Sequence, residues 1–88
     1  VITVTEHAKE KLRDVLTAAE AELYEGLRLL PTSNNTFGFM LDTEMLGDLV
    51  IEYEGYKVLL IGLEYLKLLD GKTLDYRETE VGPVLFMR

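Results

Sequence analysis

Among the residue types that do chemistry, this sequence holds one histidine, a short run of hydroxyls and an excess of carboxylates, and it has no cysteine. His7 would need partners to hold a metal. Its helical neighbours three and four positions on are Glu10 and Lys11. Only Glu10 could share its face as a ligand, and two ligands do not close a site. His7 is read as a solvent-facing residue in the first turn of a helix. Asp42, Glu44 and Asp48 crowd one connection and carry the oxygen donors that a hard cation uses. Gly47 and Asp48 fall out of step with the twelve-residue calcium loop, so the segment is read as a solvated acidic turn. Thr32, Ser33 and Thr36 supply hydroxyls, but no histidine–carboxylate arrangement can be placed beside them, and a lone hydroxyl is a weak nucleophile. Neither of the glycine-rich phosphate-cradling patterns occurs. Without a thiol there is no disulfide, no thiolate nucleophile and no thiolate metal site. No enzymatic activity and no cofactor are expected.

The totals point the same way. The 88 residues carry 16 acidic and 9 basic side chains, a net charge of −7. Phosphate neutralisation needs a clustered basic surface, so a nucleic-acid partner is not expected. A chain of this length forms one domain, residues 1–88, and buries roughly 60–65% of its unfolded surface. An apolar fraction of 48% beside 28% charged residues fits an ordinary globule. No apolar run approaches the roughly 20 residues that span a bilayer, and no signal-peptide pattern opens the chain. The expectation is a soluble cytoplasmic protein with no membrane association.

The elements that would position these residues can be read from period and punctuation. Val1 to Val4 is a β-branched strand, and Thr5 caps the helix that follows, with Glu6 in its first turn. Ala8, Leu12, Val15, Leu16, Ala19 and Leu23 form one apolar stripe, and Gly26 ends the helix. Leu27 to Leu30 is a strand stopped by Pro31. Thr32 to Thr36 is a polar loop whose asparagines tolerate left-handed backbone, and Phe37 to Leu41 is again a strand. Val50 to Tyr53 and Tyr56 to Ile61 are strands joined by a tight Glu54-Gly55 reversal. Val58 to Ile61 is apolar at four consecutive positions, which suits a strand covered on both faces. Leu63, Leu66 and Leu69 mark a short helix that Asp70-Gly71 stops. Thr73 to Tyr76 and Val84 to Met87 are the last strands. The order β-α-β-β-β-β-α-β-β predicts an α+β fold. About seven short, mostly antiparallel strands would form a sandwich or partial barrel, with one long N-terminal helix and one short helix.

In this order and spacing the chain resembles the HesB-like, A-type iron–sulfur cluster assembly proteins. The resemblance is carried by Ile2-Thr3-Val4-Thr5, Gly26-Leu27-Arg28-Leu29, the Val50 to Val58 run, and Leu66 through Leu69-Asp70-Gly71-Lys72-Thr73-Leu74-Asp75-Tyr76 to Phe86. It covers nearly the whole chain and implies a small β-rich domain that works as a dimer or higher oligomer. It also implies iron or a cluster on three cysteines. One of these lies in a loop after the G-L-R-L strand and two in a C-terminal C-G-C segment. Here Asn34 stands in the first cysteine's place, in the loop Thr32, Ser33, Asn34, Asn35, Thr36, with Phe39 as the aromatic after it. The C-terminal pair is expected to have no counterpart, the 88 residues stopping at Arg88.

An asparagine amide is neutral and cannot replace a thiolate that bridges a cluster. The expected function is therefore a protein-interaction module that binds no cluster or metal, linked to iron–sulfur biogenesis through its scaffold. The alternative is a weak carrier holding iron on oxygen and imidazole ligands, His7 and the acidic residues. A homodimer or higher homo-oligomer is expected from the edge of the last strand, Val84 to Met87, which has little polar protection.

Overall fold

Thr5 sets the first helix. Its backbone is extended, and its Oγ1 accepts the Ala8 N–H at 3.0 Å, which caps α1 (Glu6–Ala18). Ala8, Leu12 and Leu16 follow at four-residue spacing and are all buried. The structure, a computed structural model, describes residues 1–33 and 35–88. α1 is shorter than its apolar stripe suggests, and it ends at Ala18 rather than Gly26. The Glu20 N–H bonds the Thr17 carbonyl and the Ala21 N–H bonds the Leu16 carbonyl, with Glu20 at φ 54°. These are the two bonds of a Schellman stop, formed here around a non-glycine residue. Leu23 consequently leaves the stripe and stands 67% exposed.

The remaining elements are β1 (Thr3–Val4), β2 (Glu25–Ser33), β3 (Thr36–Thr43), β4 (Leu49–Tyr53), β5 (Tyr56–Ile61), α2 (Leu63–Leu69), β6 (Thr73–Thr79) and β7 (Gly82–Met87). The order read from the sequence is borne out, as are the bounds of β5 and α2. Glu54 and Gly55 both have positive φ between the paired Tyr53 and Tyr56, which is the geometry of a type I′ hairpin turn. Pro31 does not stop β2; it sits inside the strand opposite Phe37. It is tolerated because β5 accompanies β2 only at Gly26 and Arg28, so by Pro31 the strand has a neighbour on one side. Gly26 lies in β2 and does the work of close approach: a Cβ there would stand 2.5 Å from the Lys57 carbonyl oxygen and 3.1 Å from Leu60 Cγ.

All seven strands form one sheet in the order β1-β6-β7-β3-β2-β5-β4. Four neighbouring pairs are antiparallel, while β1·β6 and β2·β5 are parallel. α1 packs on β5 and on β6, which are second from opposite margins of the sheet. In a flat sheet those strands would stand roughly 19 Å apart, beyond the reach of one helix about 10 Å across. The sheet therefore curls into a nearly closed barrel, and α1 covers its open side. The core lies between them, built from Leu12, Leu16, Leu29, Leu59, Leu74 and Leu85 with their neighbours. Val58 to Ile61 are wholly buried, as their unbroken apolar run requires. β7 is not an outer strand: it lies between β6 and β3, with Leu85 and Phe86 paired to β3 and the Met87 N–H bonded to Asn35. Of the expected oligomer contact through Val84 to Met87, only Val84 therefore lacks a neighbour on that side. The long crossovers bring late strands beside early ones, which is why the position of β7 was not legible from its composition.

Candidate functional site

The polar loop that the resemblance singles out is the β2–β3 hairpin end, where Ser33 pairs with Thr36. Asn34, the residue in the first cysteine's place, lies outside the described residues. Asn35 has φ 59°, the left-handed backbone anticipated for an asparagine there. The hydroxyls around it bond one another: Ser33 Oγ and Thr36 Oγ1 are 2.7 Å apart, and Thr32 Oγ1 and Thr36 Oγ1 are 3.1 Å apart. Asn35 also ties the loop to β7, its carbonyl accepting the Met87 N–H at 2.7 Å.

Beside this loop opens a cleft of about 440 Å³. Thr32, Ser33, Thr36 and Gly38 form one wall, and Arg77, Thr79, Val81, Pro83 and Val84 form the other. Its cause is a divergence of two strands. β3 and β7 pair only at Thr36↔Phe86 and Phe37↔Leu85 and then separate. The Arg77 guanidinium stacks over the Phe86 ring, 4.9 Å from its centre. Thr79 Oγ1 donates to the Gly82 carbonyl at 2.6 Å and fixes the β6–β7 turn at the rim.

The acidic segment behaves differently from expectation. Asp42 and Asp48 are not a solvated turn; they close on Arg28, which projects from β2 between Leu27 and Leu29. Arg28 Nη1 and Nη2 donate to the two Asp48 oxygens at 2.9 and 2.7 Å, and Nε donates to Asp42 Oδ2 at 2.6 Å. The fork is completed by the Thr43 carbonyl at 3.1 Å. The Asp48 side chain is 3% exposed and also accepts the Met45 N–H. The Arg28 hydrogen bonds hold both carboxyls below the usual range, against the opposing effect of burial, with the Met45 and Thr43 N–H groups adding to them. Glu44 stands apart, paired with Lys57 at 3.2 Å. The cation that this acidic segment receives is an arginine of the same chain. An arginine between two leucines in a strand is the signal that could have found it, since such a charge has to be met by carboxylates.

His7 is exposed, as expected, and meets the edge of Tyr76 with ring centres 6.1 Å apart. Tyr76 is buried, and burial, reinforced by its hydrogen bond to Glu78, pushes its hydroxyl up to about 12. Thr5 Oγ1 donates to Asp75 at 2.7 Å, and that bond is the main reason the Asp75 carboxyl is lowered. The structure does not bring His7 together with Asp42 and Asp48. Among the described residues no three histidine or carboxylate side chains gather as a metal site. No helix among them is long and apolar enough to cross a membrane.

No family model matches the chain, and no curated protein matches it. Solved structures do. A protein from Aquifex aeolicus, known from a solution NMR structure, is 26% identical with a TM-score of 0.69, over 100% of this chain and 90% of that one. Escherichia coli SufA, described as involved in biosynthesis of iron–sulfur clusters, is 24% identical with a TM-score of 0.64, over 98% of this chain and 82% of its own. IscA, in a structure with its [2Fe-2S] cluster, is 19% identical with a TM-score of 0.60, over 100% of this chain and 84% of its own. The resemblance read from the sequence is thereby borne out in three dimensions: this cysteine-free chain has the HesB-like fold of the A-type iron–sulfur assembly proteins SufA and IscA.

Proposed function

We propose that residues 1–88 are a HesB-like domain of the cytoplasm that works by binding another protein, linked to iron–sulfur biogenesis, and that it carries neither a cluster nor catalysis of its own. The observation that supports this reading is the donor set at the β2–β3 loop. Iron–sulfur clusters are held by thiolates, with imidazoles replacing some of them in one class. The loop offers the hydroxyls of Thr32, Ser33 and Thr36, which are engaged with one another. These 88 residues have no thiol, and their one imidazole sits on α1 against Tyr76. That set does not fit a cluster. The oxygen–imidazole carrier loses support because Arg28 already occupies the oxygens of Asp42 and Asp48.

The test is anaerobic incubation with ferrous iron and sulfide, then desalting and assay of iron, acid-labile sulfide and visible absorption. The expected product is colourless and free of both. A brown protein with matching iron and sulfide would overturn the reading. Stoichiometric iron without sulfide, lost in His7→Ala or Asp42→Asn, would instead establish the carrier.

A further inference from the structure

The inference rests on the interaction-module reading and names the surface and the partner's chemistry. β3 is eight residues long, yet only Thr36 and Phe37 pair with β7. Beyond Phe37 the strand keeps β2 on one side and has no strand partner on the other, with Gly38 lining the cleft where the open stretch begins. On the far rim, Pro83 and Val84 pair with β6 alone, and Pro83 has no N–H to offer. The β3 rim has no such protection, because Gly38 to Leu41 contains neither a proline nor a charge. Met40 and Leu41 point to opposite faces of the strand and are 53% and 39% exposed, so the cover that Phe37 and Phe39 have from the core runs out by the end of this stretch. The sheet's two margins are guarded better: β1 is two residues long, and β4 packs against α1 and carries Glu52. The distal half of β3 is thus an open edge that carries neither a proline nor a charge.

Charge then selects the occupant. Arg13, Arg28 and Arg88 each meet a carboxylate, whereas among the described residues Arg77 meets none, in a chain of net charge −7. Stacked on Phe86 in the cleft wall, its guanidinium keeps a planar fork of N–H groups of the shape a carboxylate accepts. We propose that the cleft between β3 and β7 receives an extended segment of a partner protein, which adds as a strand to Gly38–Leu41 and sets a carboxylate on Arg77. Main-chain hydrogen bonds to the open edge supply affinity, and the arginine supplies the choice of an acidic segment.

The test uses two capped hexapeptides of alternating valine and threonine, one led by glutamate and its twin led by lysine, titrated into the ¹⁵N-labelled chain. The acidic peptide is expected to shift the amides of Gly38 to Leu41 and of Arg77, and to bind about tenfold more tightly than its twin. Arg77→Glu is expected to reverse that order. Shifts confined to other strands, equal binding of the twins, or no shift at millimolar peptide would overturn the proposal. So would dilution-dependent shifts at the same β3 amides without peptide, which would mean that a second copy covers the edge. Cluster assay of the same material separates the two readings. Colour with peptide binding intact defeats only the non-cluster reading, and a colourless protein that ignores the peptide defeats only this one.

Discussion

Arg28 is where the residue scale decides most. Its two carboxylate partners lie 14 and 20 residues further along the chain, and the Asp48 side chain is almost sealed from water. Removing one partner of such a pair leaves the other charged and buried, which costs far more than the intact pair contributes. Arg28→Met is expected to lower the unfolding free energy by about 3 kcal/mol in urea titration at neutral pH. Acid should act on the same group. The folded carboxyls of Asp42 and Asp48 are depressed, so their contribution is full above the ordinary carboxylate value near pH ~3.9 and is lost as pH falls toward the lowered values. Asp48→Asn should flatten the loss of stability below about pH 4, measured by chemical denaturation at stepped pH. The sequence showed the acidic cluster and the G-L-R-L strand but not their meeting. Arg28 and Asp42 meet as diagonal neighbours of the β2–β3 pair, and Asp48 reaches them from the connection after β3, so finding the contact needs the strand register as well as the buried arginine.

At the scale of elements, local signals were most legible where one residue type forces the outcome. Val58 to Ile61 required cover on both faces, Gly71 takes φ 76° after α2, and Glu54-Gly55 reverses the chain. The end of α1 was not legible, because Ala19 and Leu23 continue the helical period past a stop made by backbone hydrogen bonds alone. That stop places Glu20 in the left-handed region, where an L side chain crowds its own carbonyl. Glu20→Gly keeps the two Schellman bonds and relieves the crowding. It is expected to stabilise the chain by about 0.5–1 kcal/mol, read as a higher urea midpoint at unchanged slope. The extension of β2 through Pro31 escaped for a related reason: proline is excluded only from strands with neighbours on both sides, and sequence alone does not count neighbours.

For the molecule as a whole, α1 is the lid on an incompletely closed barrel. Leu12 and Leu16 reach from it into a core shared with strands from both ends of the sheet. Leu12→Ala should therefore cost about 3 kcal/mol and lower the stability of the entire sheet in one transition, with fluorescence and circular dichroism midpoints coinciding. Two separate transitions would show that helix and sheet unfold apart. The pairing of β1 with β6, and the bond from Thr5 to Asp75 across 70 residues, set a different kind of limit. During synthesis the first strand and its capping threonine emerge long before the segment that completes them. At ribosomal speeds that interval is roughly 4 to 14 seconds. By the end of it β2 to β5 are available to α1, but the β6 side of its cover is still missing, so the newborn chain depends on its own charge, or on a chaperone, to keep that side apart from its neighbours.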